Sequence, residues 1–566
     1  MCSRHGTRPA SGMSVSGDSM RCGIALDLGT SGFRCQAIDL GTHETLASSV
    51  TERHPIPGMN VIDHVNFAMK SGEATANRLM IEAVNNLLSS LHVDLGCVEV
   101  IAVCGNPFQL SLFQNIEIRD LAYAGKNMVR DLGVVSPERN GEVVKAGDLG
   151  IRGVPADTDV IIPPAVTHEI GADALAMMLM TDFLNQKEPC IVVDYGTNAE
   201  MALIYDGNIY TGSAAAGPAL EGQQISQGML AAPGALSAVE VEGDGWRCYV
   251  LDGSMALVKG DLVDPLTGRV IEEGPMHGKA IGITGTGVVA SLANGMAQGI
   301  IQIPKIDSPD GDLHLQDGIR ITSGDVEEAG KAIGALRAGF LTLLDAAGIW
   351  VDDVRTAYMS GASGLYVDAY KAMQIGMVIP GATHIIQFGN TSISLARKIV
   401  LGELDLGTLR SFAKKLKATH CMFATSEFFK NLYSVEYSLW CSSMPFDQYN
   451  PMLEIYGIKP LPPVIPKDRL TVDRHDVRDL PDTEGCVVSI VACGTVLGGV
   501  VEGCLACRKC VEECPENALS IIDGSGTMYA EIRSDRCAGT ACRRCERVCP
   551  AKAMKTSGFV PINDED

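Results

Sequence analysis

Eight cysteines in the last quarter of the chain stand at a spacing that could bind two iron–sulfur clusters. They follow C-x2-C-x2-C-x3-C and then C-x4-C-x2-C-x3-C, and a proline comes directly after each run. The first spacing is that of bacterial two-cluster ferredoxins, in which the fourth cysteine of one run binds the other cluster. Structural zinc also uses C-x2-C pairs, but two runs that each end in Cys-Pro favour two [4Fe–4S] clusters and an electron-transfer role.

The exchange of the fourth cysteine predicts which thiols share a cluster. The thiols expected at the first cluster are Cys504, Cys507, Cys510 and Cys549. The thiols expected at the second cluster are Cys514, Cys537, Cys542 and Cys545. The second run departs from the plain pattern, because its first loop is C-x4-C instead of C-x2-C. The other cysteines of the 19 in the chain are scattered, and we expect them to be reduced, small core residues.

Two loops of the form D-x-G-T-[S/N] are suited to binding the phosphates of a nucleotide. Residues 27–32 (DLGTSG) and 194–198 (DYGTN) each follow one apolar, strand-like run and precede another. Glycine lets the backbone approach phosphate closely, and the hydroxyl and amide side chains donate hydrogen bonds to it. An aspartate beside phosphate needs a cation, so we expect Asp27 and Asp194 to be catalytic and to orient Mg²⁺ or its water shell. The repeated unit predicts two related lobes.

Three further glycine-rich stretches lie at 212–222, 282–287 and 360–364, and the last two precede helix-like sequence. Each one alone would be an ordinary packing or turn motif about as often as a ligand loop. The nucleotide-binding residues predicted from all five loops are Gly29, Thr30, Ser31, Gly32, Gly196, Thr197, Asn198, Gly217, Glu221, Gly285, Gly287, Gly361 and Gly364.

The order of these loops over about residues 21–410 resembles the superfold of acetate kinase, sugar kinases, Hsp70 and actin. That resemblance implies two ribonuclease-H-like α/β lobes that clamp ATP with Mg²⁺ in the cleft between them. The cysteine-rich end adds a small α+β ferredoxin-like domain with two clusters.

The chain is accordingly predicted to contain five segments, separated by changes in composition and a stiff proline-rich linker. They are a disordered extension (1–20), a first lobe with insertions (21–189), a second lobe (190–410), a helical and mixed connecting region (411–500, with the linker at 459–467) and the ferredoxin-like domain (501–566).

Charge and hydropathy bear on the partners. The net charge is −23, which argues against general nucleic-acid binding. We see no uninterrupted apolar run of about 18 residues, so no membrane segment is expected. The first 20 residues lack the apolar centre of a secretory signal. We therefore expect a cytoplasmic protein.

The joining of such an ATP-binding fold to a two-cluster ferredoxin tail resembles the ATP-dependent reductive activases of corrinoid proteins, in particular the branch that serves methylamine methyltransferases. The stretches that carry the resemblance are 23–33 (GIALDLGTSGF), 104–114 (CGNPFQLSLFQ), 192–200 (VVDYGTNAE), 217–223 (GPALEGQ), 282–287 (GITGTG), 360–364 (SGASG) and the eight cysteines. Bacterial relatives carry an N-terminal [2Fe–2S] domain, and this chain shows no motif for one.

The resemblance implies an oxidoreductase with ATPase activity in methylamine-dependent methanogenesis. It would reduce the inactive Co(II) corrinoid of a separate small protein to Co(I), with electrons from an unidentified low-potential donor.

Two alternatives share the superfold. One is an ATP-dependent electron activator of the 2-hydroxyacyl-CoA dehydratase type, although those proteins are about half as long and share one cluster across a dimer. The other is a small-molecule kinase with a regulatory or structural ferredoxin tail.

Overall fold

A computed structural model of the protein describes residues 20–58, 60–122, 130–131, 133–196, 198–215, 224–475, 478–524 and 526–562. The predicted disordered extension, apart from Met20, lies outside these residues. Within the described part of the chain, every helix is too short or too polar to cross a bilayer.

The first lobe is a mixed sheet with helices on its faces. Its strands are β1 (Cys22–Leu28), β2 (Phe33–Asp39), β3 (Thr45–Thr51), β4 (Val98–Gly105), β5 (Glu142–Lys145) and β6 (Asp159–Ile162). Its helices are α1 (Val61–Ser71), α2 (Glu73–Ser90), α3 (Pro107–Phe113), α4 (Arg119–Ala122) and α5 (Ala172–Leu179). Strands β1, β2 and β3 are antiparallel, whereas β4 and β6 run parallel to β1. Every residue of β1 is buried, which explains why its sequence is apolar except at Asp27.

The second lobe repeats this topology and carries a large insertion. Its strands are β7 (Cys190–Tyr195), β8 (Ala199–Tyr205), β9 (Asn208–Ala214), β10 (Ala235–Glu242), β11 (Gly245–Leu251), β12 (Leu257–Val263), β13 (Val270–Glu272), β14 (Gly282–Ile283), β15 (Ile301–Gln302), β16 (Lys305–Ile306), β17 (Leu313–His314), β18 (Arg320–Ile321), β19 (Thr356–Ser360) and β20 (His384–Phe388). The main sheet has the order β9-β8-β7-β19-β20, which matches β3-β2-β1-β4-β6 in the first lobe. The prediction of two related lobes is therefore confirmed.

Helices pack around the second lobe and fill the region that follows it. They are α6 (Gly285–Ala297), α7 (Ser323–Ala347), α8 (Gly361–Tyr366), α9 (Ala369–Ile375), α10 (Thr391–Val400), α11 (Leu406–Lys417), α12 (Glu427–Cys441) and α13 (Phe446–Ile455). Helix α12 packs along α7, where the ring of Trp440 lies so close to Gly330 that an added Cβ would be 2.5 Å from it. Among the aromatic residues of this region, Phe423 and Trp440 are fully buried, whereas Tyr437 is exposed.

Helix α10 crosses between the lobes. It lies within the segment predicted as second lobe, yet it packs on β1 and β4 of the first lobe. An added Cβ at Gly23 of β1 would be 2.2 Å from the Val400 side chain, so the glycine permits this close contact. The boundary at residue 410 therefore does not separate the two cores, because the apolar face of α10 is buried on the first sheet.

The segment 471–491, which we call the strap, joins the two main sheets. Strand β21 (Thr471–His475) pairs in parallel with β20, and strand β22 (Val487–Val491) pairs in parallel with β3. Strand β22 lies within the apolar run at 486–493. The region predicted as a connection thus contributes an edge strand to each lobe.

The C-terminal domain is a four-stranded sheet of order β24-β25-β23-β26 with three short helices. Its elements are β23 (Val496–Val500), α14 (Lys509–Glu512), β24 (Leu519–Gly524), β25 (Thr527–Arg533), α15 (Gly539–Cys542), α16 (Arg544–Val548) and β26 (Val560–Pro561). The domain therefore starts before the predicted boundary at 501. Strand β23 is hard to recognise in the sequence because it contains Gly498 and Gly499. Packing requires both glycines, since an added Cβ would be 2.4 Å from Ile562 at Gly498 and 2.8 Å from Phe559 at Gly499.

Candidate functional site

One cavity between the lobes collects residues from both D-x-G-T loops. Asp27 lies near the end of β1 and Asp194 near the end of β7, so the matching topology of the two sheets directs both carboxylates into the same space. The predicted site residues that border this cavity are Asp27, Gly29, Thr30, Ser31, Asp194, Gly196, Asn198 and Gly361.

The other predicted nucleotide-binding residues divide into two groups. Thr197, Gly217 and Glu221 lie outside the described residues. Gly32, Gly285, Gly287 and Gly364 are described but do not border the cavity. Tight packing accounts for two of these glycines. An added Cβ at Gly287 would be 2.6 Å from the Leu236 carbonyl oxygen, and one at Gly364 would be 2.9 Å from the Tyr195 ring.

The backbone of Gly361 lies very close to the side chain of Asp194, one of the two predicted catalytic residues. Its φ is +80°, and an added Cβ would be 2.2 Å from Oδ1 of Asp194. A side chain at this position would be strained and would displace the carboxylate. The SGASG motif therefore borders the site through the start of α8.

Five carboxyl groups border the cavity. Asp27 and Glu200 are buried, whereas Asp173, Asp194 and Asp479 are partly buried. Burial, followed by the nearby charges of Asp173 and Asp27, raises the pKa of Asp194 to about 7. Burial also raises the pKa of Asp173, Glu200 and Asp27, and in Asp27 the Arg34 guanidinium and Asn390 partly oppose the rise. Asn390 Nδ2 donates to Asp27 Oδ2 at 2.8 Å, whereas Arg34 Nη1 is 3.9 Å away.

This donor set fits a hard divalent cation. Mg²⁺ binds carboxylate oxygens together with water and substrate phosphates. The four carboxyl groups with raised pKa values cannot all ionise in this shared space without a compensating positive charge. The pKa of all four groups is raised although Arg34 is nearby, so a bound divalent cation would supply the positive charge that they need.

The carboxyl groups predict a pH dependence of stability. An acid with a higher pKa in the folded state binds more protons when folded, so its contribution to the free energy of unfolding is lost as pH rises through the folded pKa. With the pKa of Asp194 at about 7, we expect the thermal midpoint of the Mg²⁺-free protein to fall between about pH 5 and about pH 8. Added Mg²⁺ should raise the midpoint more at the higher pH. Scanning calorimetry under anaerobic conditions measures both effects.

The Asp194→Asn variant is the control for this dependence. Because asparagine does not titrate, the thermal midpoint of this variant should change less over the same pH range. A wild-type midpoint that rises with pH, or a variant with an unchanged slope, would contradict the assignment.

Several residues of the cavity carry no local signal in the sequence. Asp173 is in the first turn of α5, Glu200 is in β8, and Asp479 belongs to the strap. Asp479 accepts a hydrogen bond from Arg34 Nε at 3.1 Å. Glu200 follows Asn198 at the alternate position along the strand, which could have indicated that it faces the same side.

The eight C-terminal cysteines lie in two groups. One cavity is bordered by Cys504, Cys507, Cys510 and Cys549. Another is bordered by Cys514, Cys537, Cys542 and Cys545. These are the groups expected from the spacing. That each group binds a cluster stays a prediction.

The surroundings of the thiols fit iron–sulfur ligation. The backbone N–H groups of residues 551–554 surround the thiol of Cys549 and hold its pKa below the usual value, although burial acts in the opposite direction. The Ala518 N–H donates to Cys514 Sγ at 3.3 Å. Such N–H to sulfur contacts stabilise thiolate and tune clusters. Cys507 is exposed, so the first group lies at the surface of the domain.

Family models match three parts of the chain. The RACo middle region matches residues 22–186, and the C-terminal ASKHA domain of RACo matches residues 188–450. A 4Fe–4S dicluster domain matches residues 503–553.

Individual relatives cover most of the chain. The [Co(II) methylated amine-specific corrinoid protein] reductase of Methanosarcina barkeri is 50% identical over 92% of this chain and 95% of its own length. The corrinoid activation enzyme RamQ of Eubacterium limosum is 25% identical over 73% of this chain and 69% of its own. A solved reductive activator for a corrinoid iron–sulfur protein has the same fold, with a TM-score of 0.58, 22% identity, and coverage of 76% of this chain and 68% of its own.

Proposed function

This chain belongs to the family of reductive activators of corrinoid proteins, and on that premise we propose that it reduces the Co(II) corrinoid of methylamine-specific corrinoid proteins to Co(I) with hydrolysis of ATP. The observation that carries the proposal is the presence, in one folded unit, of a carboxyl-lined cleft between two lobes and of two groups of four thiols.

The cleft residues have distinct roles in this proposal. Asp27 and Asp194 hold Mg²⁺, directly or through water, with Asp173 and Glu200 nearby. Thr30, Ser31 and Asn198 donate hydrogen bonds to the phosphates, and Gly29 and Gly196 let the backbone approach. In phosphoryl transfer the protein contributes mainly positioning and electrostatic stabilisation. The two loops supply both from opposite sides of the cleft.

The cysteine groups hold the two [4Fe–4S] clusters, which when bound supply one-electron transfer at low potential. The first group is accessible at Cys507. The second group contacts the first lobe, because Gly58 N–H donates to the Cys537 carbonyl oxygen at 2.9 Å. In this proposal the first cluster would lie at the surface of the domain and the second against the first lobe.

Conversion of Co(II) to Co(I) takes one electron. A potential shortfall of ~200 mV corresponds to about 4.6 kcal/mol, since tenfold in a one-electron equilibrium is 59 mV. A free energy of this size is available if ATP binds one conformation of the two lobes more tightly than another. ATP binding and hydrolysis in the cleft would select between those conformations.

Anaerobic spectroscopy of a methylamine-specific Co(II) corrinoid protein tests the proposal. With a low-potential reductant and this protein, the Co(I) absorption should appear with MgATP and be absent without it. Cleavage of ATP should accompany the signal. If ATP is consumed only when a small molecule is phosphorylated, or if Co(I) forms equally without ATP, the proposal is overturned.

A further inference from the structure

Hydrogen bonds on both sides of Gln109, one to its backbone and two to its side chain, link the first D-x-G-T loop to the interior of the first lobe. Asn106, the N-cap of α3, donates from Nδ2 to Thr30 Oγ1 at 3.1 Å. Its Oδ1 accepts from the backbone N–H of Gln109 at 2.9 Å. The side chain of Gln109, fully buried, then lies between two histidines: it is 3.1 Å from His54 Nε2 and 3.0 Å from His64 Nδ1.

The two histidines form one rigid unit with Gln109. Their rings are stacked with centroids 3.9 Å apart and planes inclined by 17°. Burial lowers the pKa of both rings, to about 4 for His54, so both are neutral. The Ile56 N–H donates to His54 Nδ1 at 3.1 Å, so the proton of that ring is on Nε2 and points to Gln109 Oε1. The amide group of Gln109 then donates to His64, which leaves one orientation for all three side chains.

The loop between these histidines touches the second thiol group. Gly58 N–H donates to the Cys537 carbonyl oxygen at 2.9 Å. Thr540 Oγ1 donates to Asp63 Oδ1 at 2.5 Å and accepts from Asn66 Nδ2 at 3.4 Å. Thr540 is one of the four residues between Cys537 and Cys542, in the loop that is longer than the plain ferredoxin spacing.

Backbone packing fixes this contact. Gly539 has φ of +57°, and an added Cβ would be 3.0 Å from Gly58 Cα and 3.2 Å from the Pro57 carbonyl oxygen. The two glycine backbones thus meet without side chains between them. A displacement of the loop at Gly58 would press directly on the chain that carries Cys537.

Both ends of this network therefore belong to functional elements. Thr30 borders the nucleotide cavity, as does Val61 in the first turn of α1, while Asp63 in the same turn holds Thr540. Potentials of iron–sulfur clusters depend on hydrogen bonds to the sulfurs and on solvent exposure. A small shift of the loop 537–542 would change both.

We propose that His54, Gln109 and His64 form a positioning unit that couples the phosphate loop at Thr30 to the ligand loop 537–542, so that nucleotide binding lowers the reduction potential of the second cluster. The inference rests on the proposed function, since it requires a nucleotide in the cleft and a cluster on the second thiol group. It assigns a purpose to the long second loop: Gly539 and Thr540 are the residues through which this loop is held.

Potentiometric titration of the anaerobic holoprotein, followed by electron paramagnetic resonance, tests the coupling. At a fixed solution potential, a non-hydrolysable ATP analogue with Mg²⁺ should lower the reduced-to-oxidised ratio of one cluster tenfold, equivalent to a shift of about 59 mV. The second cluster should be the one that responds. A Cys504→Ser variant, which alters the signal of the first cluster, identifies it.

Two variants interrupt the network at different points. Gln109→Leu removes the bridge between the histidines, and Thr540→Val removes the hydroxyl group that Asp63 binds. Both should reduce the tenfold response to less than threefold while the affinity for the analogue, measured by calorimetry, stays within twofold. Thr540 is only partly buried, so its variant remains informative if Gln109→Leu does not fold.

Thr495→Val is the matched control. Thr495 Oγ1 donates to Glu82 Oε2 at 3.4 Å, which is another threonine contact between the C-terminal domain and the first lobe but lies outside the network. This variant should keep the full tenfold response. A response that persists in Thr540→Val, or disappears equally in Thr495→Val, overturns the coupling.

The failure of this inference differs from the failure of the proposed function. If the analogue binds and Co(I) forms only with ATP, but neither potential changes, the coupling is wrong and the function stands. If MgATP itself does not bind and Co(I) forms equally without it, both are wrong.

Discussion

Replacement of Asp194 by asparagine should lower ATP hydrolysis and ATP-dependent Co(I) formation at least a hundredfold, equivalent to about 2.7 kcal/mol of transition-state stabilisation. The carboxylate lies near the end of β7, directly beside Gly361, and faces Asp173, Asp27 and Glu200 across the cavity. Asparagine keeps the size of the side chain but removes the negative charge that a divalent cation needs. Coupled assays of phosphate release and Co(I) absorbance measure the effect.

Asp206→Asn is the matched control for that variant. Asp206 is exposed in the turn between β8 and β9, with φ of +47°, a conformation that asparagine tolerates. It should keep both activities within twofold. The iron content should be the same in both variants and in wild type. If Asp194→Asn retains more than a tenth of the hydrolysis rate, the carboxylate is not part of the cation site.

Replacement of Cys545 by alanine should abolish Co(I) formation and leave nucleotide binding intact. Cys545 is one of the four cysteines of the second group, and three cysteines remain there in the variant. Iron content should fall from about eight to about four per chain, since each [4Fe–4S] cluster holds four irons. Iron analysis, paramagnetic resonance and calorimetry with the nucleotide analogue measure the three effects.

Cys441→Ala is the corresponding control, because Cys441 is a partly buried thiol at the end of α12, far along the chain from both groups. It should keep the full iron content and the full rate of Co(I) formation. Continued Co(I) formation by Cys545→Ala at the wild-type rate would exclude the second thiol group from the electron path. Together with Asp194→Asn, this variant separates the ATP-dependent from the electron-transferring half of the reaction.

The parts of the site that could be predicted are those with a local cause. A phosphate loop needs glycine and hydroxyl side chains next to one another, and a cluster needs thiols within a few residues. Asp27, Thr30, Asp194 and Asn198 were therefore visible in the sequence, and the cavity contains all four. The two lobes were predictable because the strand–turn–strand unit is repeated.

The parts that could not be predicted depend on tertiary contacts. Asp173 and Asp479 reach the cavity from a helix and from the strap, at places where the neighbouring sequence is ordinary. Strand β21 is exposed along its whole length, so it lacks the buried alternation that marks a strand. The glycines of the GITGTG motif pack inside the second lobe instead of bordering the cavity, which illustrates that glycine-rich runs serve close packing as readily as ligand binding.

The strap has a consequence for the kinetics of the whole reaction. Because β21 and β22 are built into the two main sheets and β23 follows almost at once in the C-terminal sheet, the cluster domain is tethered to the nucleotide-binding lobes. The coupling between the cluster domain and the nucleotide-binding lobes is therefore unimolecular. The short tether sets their local concentration, so the two parts need not meet by diffusion. The rate of this coupling should therefore not depend on the amount of protein, and an added free ferredoxin should be unable to take the place of the covalently attached domain.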